Sequence, residues 1–449
     1  MLPIDLARTT FYRWLMLILL CALLLRVLAA VAWHRQATAQ ENFLRLGDSH
    51  GYWALAECIA KGQPYQYGDP PRQIFRTPLL PLVLAPLTQL DWPSQAVFCA
   101  RCLGAVLGTL AVALVAALAE RIAGTTAALI AAMIAAVYPA AIGMSILVLS
   151  EMLFMPLMLG SMLSWMLAYQ ADSTLVRSKW AVGGGLIAGL AVLTRPSWLL
   201  FAPFATLIGF VVDSRRRVHL EIAVLSGLCI CLVMTPWWIR NAGITGKFVP
   251  TTLQTGASLY DGLHQGASGA SDEGMLFMQE IEHQQAQEDA LTPQPLESTF
   301  EWRVNQRAKR LALQWAGQNP MQSFDLMLSK FWRTWSLWPD GGDLSSGAMR
   351  AALTISTICV LLLAFLANWH FSAGREWMIA FYWMPCLYFT ALHLVFVGSI
   401  RYREPAMLVL VALAGCEVAK WFHKTQTVKT VTCAAPSSTT PPVGKSSID

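Results

Sequence analysis

The chain has 449 residues, of which 55% are hydrophobic and only 13% charged, with a formal net charge of +5. Average soluble domains are about 25% charged, so this composition, with a mean hydropathy of +0.48, excludes an ordinary water-soluble enzyme and fits a multi-span helical membrane protein. The small positive charge suits Lys/Arg flanks on one side of a bilayer better than nucleic-acid binding.

A hydrocarbon core of about 30 Å takes roughly 20 apolar residues of helix. The first such run, 12–33, is long for the apolar part of a signal peptide and is interrupted by Arg26. It is expected to be an uncleaved first span. The polar segment that follows opens with "RLGDSHGYWALAECIAKGQPY", residues 45–65, which places Asp48 and Glu57 beside Tyr52, Trp53 and Tyr65. Asp48 is a suitable N-cap for a helix over 51–60. Residues 78–90 are apolar but short, and Pro78, Pro81 and Pro86 suit an interfacial or re-entrant piece better than a crossing. Further spans are expected at 95–118, 123–141, 146–169, 181–194, 197–212, 219–239, 349–368, 377–397 and 404–421, ten in all. The ten cysteines are scattered, and Cys21, Cys229, Cys231, Cys359 and Cys386 lie inside apolar runs. They are expected to be small buried hydrophobes rather than zinc ligands or disulfide partners.

With the N-terminus and its Arg8 and Arg13 in the cytoplasm, the inner loops carry Arg121, then Arg177 and Lys179, then Arg215-Arg216-Arg217, then Arg375, and the tail carries Lys420, Lys424 and Lys429. The turn at Tyr138-Pro139 carries none. This charge bias predicts both termini inside and two long outer segments, 34–94 and 240–348. In this division residues 1–239 form a catalytic membrane module, 240–348 an outer segment and 349–421 the C-terminal spans. The Ser/Thr/Pro-rich tail over 422–449 is expected to be disordered and cytoplasmic. The outer segment begins with a Gly/Ser-rich stretch, 251–274, that reads as a hinge-like loop. Two amphipathic helices follow, over 299–317 and 321–335, with Arg303, Arg307 and Arg310 opposite an apolar face. They are expected to lie in the membrane interface and to hold a cap over the site. No internal repeat is present, which argues against a transporter built on inverted repeats.

Charges in or at the ends of spans are expensive and are paired, solvated or functional. Glu151, Arg195, Arg240, Arg401 and Arg403 are of this kind, and all fall toward the outer face together with Asp48 and Arg76. One outward cavity lined by carboxylates and guanidiniums is the expected common destination. Plainer readings stand beside it: snorkelling for Arg240 and Arg401, and a structural Glu151–Arg195 pair. His50 next to Asp48 is a lone polar-loop histidine, which is seldom a metal ligand.

The order of these pieces resembles a known family. "GDSHGYWALAECIAKGQPY" followed by "FRTPLLPLVLAPL" is similar to the first outer loop of the GT-C membrane glycosyltransferases, in the branch of protein O-mannosyltransferases and lipid A aminoarabinose transferase. "YPAAIGMSILVLSEMLF", "GLIAGLAVLTRPSWLL", "TPWWIRNAGITGKFVP" with "GASLYDG", and "RYREPAMLVL" agree in the same order, from residue 12 to about 420. The resemblance implies an all-α bundle of about ten transmembrane helices and a polyprenyl-phosphate-linked sugar donor. It also implies an acceptor in the cell envelope, which is a lipid, glycan or protein. It makes Asp48 the catalytic acid of the first outer loop, with Glu151 as a second candidate carboxylate. Arg76, Arg195, Arg240, Arg401 and Arg403 become candidates for the donor phosphate, whereas Tyr52, Trp53, Tyr65 and Tyr260 become sugar contacts or interfacial anchors. Eukaryotic protein mannosyltransferases carry adjacent Asp-Glu where this chain has Asp48-Ser49, so the likeness is to bacterial members. No nucleotide, P-loop or cofactor is required, and a divalent metal is compatible with the sequence without being demanded by it. The competing functional classes are a lipid or solute transporter and a non-catalytic scaffold.

Overall fold

In the computed structural model, which describes residues 4–272, 274–293, 295–339, 346–371 and 376–433, every regular element is a helix. The described residues contain no strand, only an isolated antiparallel bridge between Tyr67 and Arg72. The order is α1 (Ile4–Ala39), α2 (Gly47–Ala60), α3 (Leu79–Leu84), α4 (Pro93–Val137), α5 (Pro139–Ile146), α6 (Ser150–Gln170), α7 (Thr174–Thr194), α8 (Phe201–Val212) and α9 (Arg216–Thr245), followed by α10 (Thr255–Gly262), α11 (Phe277–Leu291), α12 (Phe300–Gln318), α13 (Pro320–Trp335), α14 (Gly347–Phe371), α15 (Glu376–Val395) and α16 (Ile400–Cys433). Eight of these are long and apolar enough to cross a membrane: α1, α4, α6, α7, α9, α14, α15 and α16. The chain is a multi-pass membrane protein.

The ten expected spans map onto nine helices. At 1.5 Å per residue the 45 residues of α4 would reach about 67 Å, more than twice a hydrocarbon core. The helix breaks at Ala123 and Gly124, the latter at φ +78°, a left-handed conformation open to glycine. The expected spans 95–118 and 123–141 are therefore the two limbs of one broken helix. The second limb stops at Val137 because Tyr138 precedes Pro139 and is held extended. The expected span 197–212 is α8, only 12 residues long, entered through a 3-10 turn at Pro196–Trp198.

Burial separates central from peripheral helices. Ala406 to Ala414 of α16 is buried along its whole length, the pattern of a helix apolar on all sides at a bundle centre. It lies against a line of small residues on α4 that includes Ala127, Ala128, Ala131 and Ala135. Small residues let membrane helices approach closely. At Gly415 the approach is extreme, since an added Cβ would stand 2.5 Å from that of Ala131. By contrast α1 exposes Trp14, Leu17, Leu20, Leu24 and Leu28 along one face, a surface suited to lipid. α16 stays helical through Cys433, so the expectation of disorder from residue 422 does not hold for its first part; residues 434–449 lie outside the described residues. The cysteines that are described are free thiols, including the C-x-x-C pair Cys99 and Cys102 on α4. Of the five expected to be buried only Cys386 is, whereas Cys229 is half-buried and Cys21, Cys231 and Cys359 are exposed on the outward faces of their helices.

The two outer segments form one assembly. α2 and α3 bury Tyr52, Trp53, Leu80 and Leu84 against Val97 of α4 and Met152 of α6. The turn before α3 is held from the other side: the Glu301 carboxylate of α12 accepts from the backbone N–H of Gln73 at 2.8 Å and of Ile74 at 3.1 Å. Arg72 pairs with Glu282 at 3.0 Å. The stretch expected as a Gly/Ser loop contains α10, docked through the Gly256 N–H to Asn305 Oδ1 at 2.7 Å. α11 was not expected, because its surface is almost wholly polar. Its acids meet the basic face of α12, Asp289 with Arg303 at 2.7 Å and Glu288 with Arg307. The apolar face of α12, Val304 and Ala308, is covered by Ala257, Met278 and Ile281. That helix is thus packed by its apolar face into the outer assembly. α13 keeps the expected open apolar face, with Met321, Phe324, Leu328 and Trp332 exposed.

Candidate active site

Four widely separated stretches meet at one end of the bundle. Asp48 lies in the first turn of α2, Glu151 in the first turn of α6, Arg195 just after α7, and Arg401 in the first turn of α16. Arg401 is the bridge. Its Nη1 donates to Asp48 Oδ2 at 2.9 Å, while Nε and Nη2 donate to the two oxygens of Glu151 at 2.5 and 3.1 Å. Arg195 Nη1 donates to Glu151 Oε1 at 2.5 Å. Arg76, from the turn before α3, donates through Nη2 to Asp48 Oδ1 at 2.6 Å and through Nη1 to Gln254 Oε1 at 3.0 Å. Two carboxylates against three guanidiniums leave one positive charge.

Accessibility divides the network. The Glu151 side chain is 0% exposed, whereas Asp48 and Arg401 are 32% and 26% exposed. Glu151 also accepts from Ser150 Oγ at 3.2 Å, so its two oxygens are fully engaged. It orients Arg195 and Arg401 and has no free edge toward a substrate, a different place from the catalytic carboxylate expected for it. Removing one partner of a buried ion pair strands the others and costs about 3–5 kcal/mol. Glu151→Gln is expected to lower stability on that scale, seen as an earlier thermal transition of the solubilised protein, with Glu151→Asp intermediate.

Asp48 is not the helix cap. α2 begins at Gly47 after Leu46 and has no side-chain cap, which leaves the Asp48 carboxylate to the arginines. Burial by itself would raise its pKa. The Arg76 and Arg401 guanidiniums outweigh burial and hold the carboxyl below the ordinary aspartate range. It is ionised at neutral pH and, so held, is a weak base.

The other expected residues lie elsewhere. Arg403 is two positions from Arg401, about 200° around a helix. It is buried and donates through Nη1 to Thr334 O at 3.1 Å and Ser336 O at 2.7 Å, with Nε toward Glu404 at 3.4 Å. It closes the C-terminal end of α13, where a cation is favoured. Arg240 fastens the first outer loop to α9, donating to Tyr65 O at 3.3 Å and Gln73 O at 3.2 Å. Tyr52 and Trp53 are buried packing residues, with Arg76 Cζ 5.2 Å from the Tyr52 ring. Tyr65 donates its hydroxyl to Arg76 O and Thr77 O, both at 3.1 Å. All three are engaged within the protein. The reason is that α2 and the following turn fold back onto the bundle. Tyr260 stacks on His264 at 5.0 Å in the outer assembly. Glu57 pairs with Lys61 on the surface at 3.2 Å.

Two residues join the site without having been expected. Gln254 holds Arg76 from the start of the outer segment, and nothing in its sequence setting marks it. Tyr402 lies under Arg195, 5.3 Å from ring centre to Cζ, and stacks on His393 at 4.1 Å. Its signal was its position between the two arginines of "RYREP". For a divalent metal the donor set is unsuited: each carboxylate already carries two guanidiniums, and a cation between Asp48 and Glu151 would have to displace Arg401. No group of three metal-ligating side chains occurs among the described residues.

Residues 76–239 match the family described as dolichyl-phosphate-mannose-protein mannosyltransferase. That span includes Glu151 and Arg195 and leaves Asp48 and Arg401 outside. No curated protein matches the sequence. Among solved structures, the apo oligosaccharyltransferase of Archaeoglobus fulgidus is similar at a TM-score of 0.58 and 16% identity, over 94% of this chain and 52% of that one. The archaeal oligosaccharyltransferase AglB from Archaeoglobus fulgidus, in complex with an inhibitory peptide and a dolichol-phosphate, gives 0.56 at 16% identity, over 95% and 52%. ArnT from Cupriavidus metallidurans bound to undecaprenyl phosphate gives 0.40 at 13% identity, over 92% and 80%, too low a score to bear on the fold. The chain spans about half the length of the oligosaccharyltransferase. What the two share is the fold, an all-helical membrane bundle.

Proposed function

We propose that this protein is a glycosyltransferase that moves a sugar from a polyprenyl-phosphate carrier to an acceptor hydroxyl in the cell envelope, on the non-cytoplasmic side of the plasma membrane. The observation that carries this reading is the Asp48–Arg401–Glu151 network at one end of a GT-C bundle, with its two accessible members being a carboxylate and a guanidinium. Support comes from the match of residues 76–239 to a mannosyltransferase family, and from the dolichol-phosphate in the complex of a protein of the same fold. The Lys/Arg bias of the opposite loops supports the outward orientation.

In this reading Arg401 and Arg76 receive the donor phosphate, with Arg195 behind them. Asp48 takes the proton of the acceptor hydroxyl. The acceptor oxygen bonds to the anomeric carbon, and the bond from that carbon to the phosphate oxygen breaks. Its electron pair stays on the phosphate, where fixed guanidiniums stabilise the added charge. The outer assembly of α10 to α13 frames the acceptor side. Asp48-Ser49, rather than an acidic pair, favours a lipid or glycan acceptor over a protein.

The test is turnover in proteoliposomes with a panel of undecaprenyl-phosphate-linked sugars and extracted envelope lipids and glycans. Release of undecaprenyl phosphate that depends on both protein and acceptor supports the proposal. Consumption of no donor, with solute or lipid flux across the same vesicles, would replace it with a transporter.

A further inference from the structure

We propose, on the footing of that function, that Asp48 occupies the donor phosphate's seat in the donor-free protein, so that the arriving phosphate itself releases the base. Each Asp48 oxygen rests on a different guanidinium, Oδ1 on Arg76 and Oδ2 on Arg401. That is how a phosphate would bridge them, since it presents two acceptor oxygens at similar spacing. The two carboxylates on Arg401 differ in their freedom to leave. Glu151 is sealed in and takes the Nε/Nη2 edge together with Arg195. Asp48 takes a single Nη1 hydrogen bond, is accessible, and sits on the first turn of a short helix with no cap of its own.

The exchange conserves charge at the guanidiniums. A sugar phosphodiester carries one negative charge, as does the carboxylate it displaces. Once off the arginines Asp48 loses the two cations that depress its basicity, and it regains the strength of an ordinary carboxylate. The order of events follows. Donor binds before the acceptor is deprotonated, and an acceptor that enters first meets a carboxylate already committed to arginine. Wasteful activation of water without donor is suppressed in the same way. After transfer Asp48 holds the acceptor's proton, and it competes for the arginines again only when that proton has left.

Undecaprenyl phosphate is the probe, titrated against the purified full chain in detergent. Asp48→Asn removes the competing charge, so it is expected to bind the probe about tenfold tighter than wild type while transfer is lost. Equal or weaker binding by folded Asp48→Asn would overturn the exchange and make Asp48 a fixed partner that orients the arginines. No binding by the wild type at any accessible concentration would instead overturn the donor reading on which the exchange rests. Should the variant not accumulate in folded form, a cryo-EM structure of the wild type with undecaprenyl phosphate decides. An Asp48–Arg401 pair opened beyond hydrogen-bond distance supports the exchange, and an intact pair beside bound phosphate rejects it.

Discussion

Asp48→Asn is expected to slow transfer by about 10²–10⁴-fold, the usual loss when a general base is removed. Asparagine keeps the size of the side chain and one oxygen for a guanidinium, so the turn before α3 should stay in place. What it lacks is a site for the acceptor's proton. The loss should fall on kcat and leave the donor's KM unraised, since no phosphate-binding group is touched. The pH profile adds a second readout. In the free enzyme Asp48 is held below its ordinary pKa of about 3.9 by Arg76 and Arg401. It therefore stays ionised as pH falls until that lowered value is reached, and the acid limb of kcat/KM, which reports the free enzyme, should be displaced downward. In the donor complex the arginines serve the phosphate, so the limb in kcat should lie higher. Near wild-type turnover by Asp48→Asn at matched folded protein would remove it as the base.

Much of this arrangement was readable because membranes make polar errors costly. Apolar runs of about 20 residues marked the crossings, and Glu151, Arg195 and Arg401 stood out because charges there need a partner. The alternation of loops also brought the correct ends together, as the meeting of Asp48, Glu151, Arg195 and Arg401 shows. Pairing within the cluster was not readable, because it depends on azimuth. Arg401 and Arg403 look equivalent in "RYREP", yet the helix turns one toward Asp48 and the other toward the end of α13. Aromatic residues next to a membrane suggested anchors, but Tyr52 and Trp53 are covered by α3, α4 and α6, contacts between distant segments that no local pattern encodes. α11 was missed for a related reason. Its apolar contact is only a narrow strip, Met278 and Ile281, and the rest of its surface is polar, with acids paired to arginines of α12. α4 shows the reverse case, in which a local break was legible. Ala123 and Gly124 separate two apolar runs, and the two expected spans are two separate helical limbs, packed so that Cys416 reaches Ala119 of one while Gly415 abuts Ala131 of the other.

Arg401→Lys is expected to weaken undecaprenyl phosphate binding by about 10–100-fold, the equivalent of one or two charge-assisted hydrogen bonds. Charge is not what is lost. Arg401 reaches Glu151 with Nε and Nη2 and Asp48 with Nη1 at the same time, because the guanidinium is a planar fork. A lysine ammonium is a single point at the end of a flexible stem and cannot hold both carboxylates in that geometry. Left with Glu151 it deserts the accessible edge, and left with Asp48 it strands a fully buried acid. Arg403→Lys is the control, since it carries the same change two residues away. Arg403 holds the carbonyls of Thr334 and Ser336, so its replacement should lower the thermal transition and leave phosphate affinity of the folded fraction unchanged. Titrating both variants with undecaprenyl phosphate and following their unfolding separates the two roles. If Arg403→Lys lost affinity as much as Arg401→Lys, both arginines would be holding the bundle together, and the anion seat would have to be sought elsewhere.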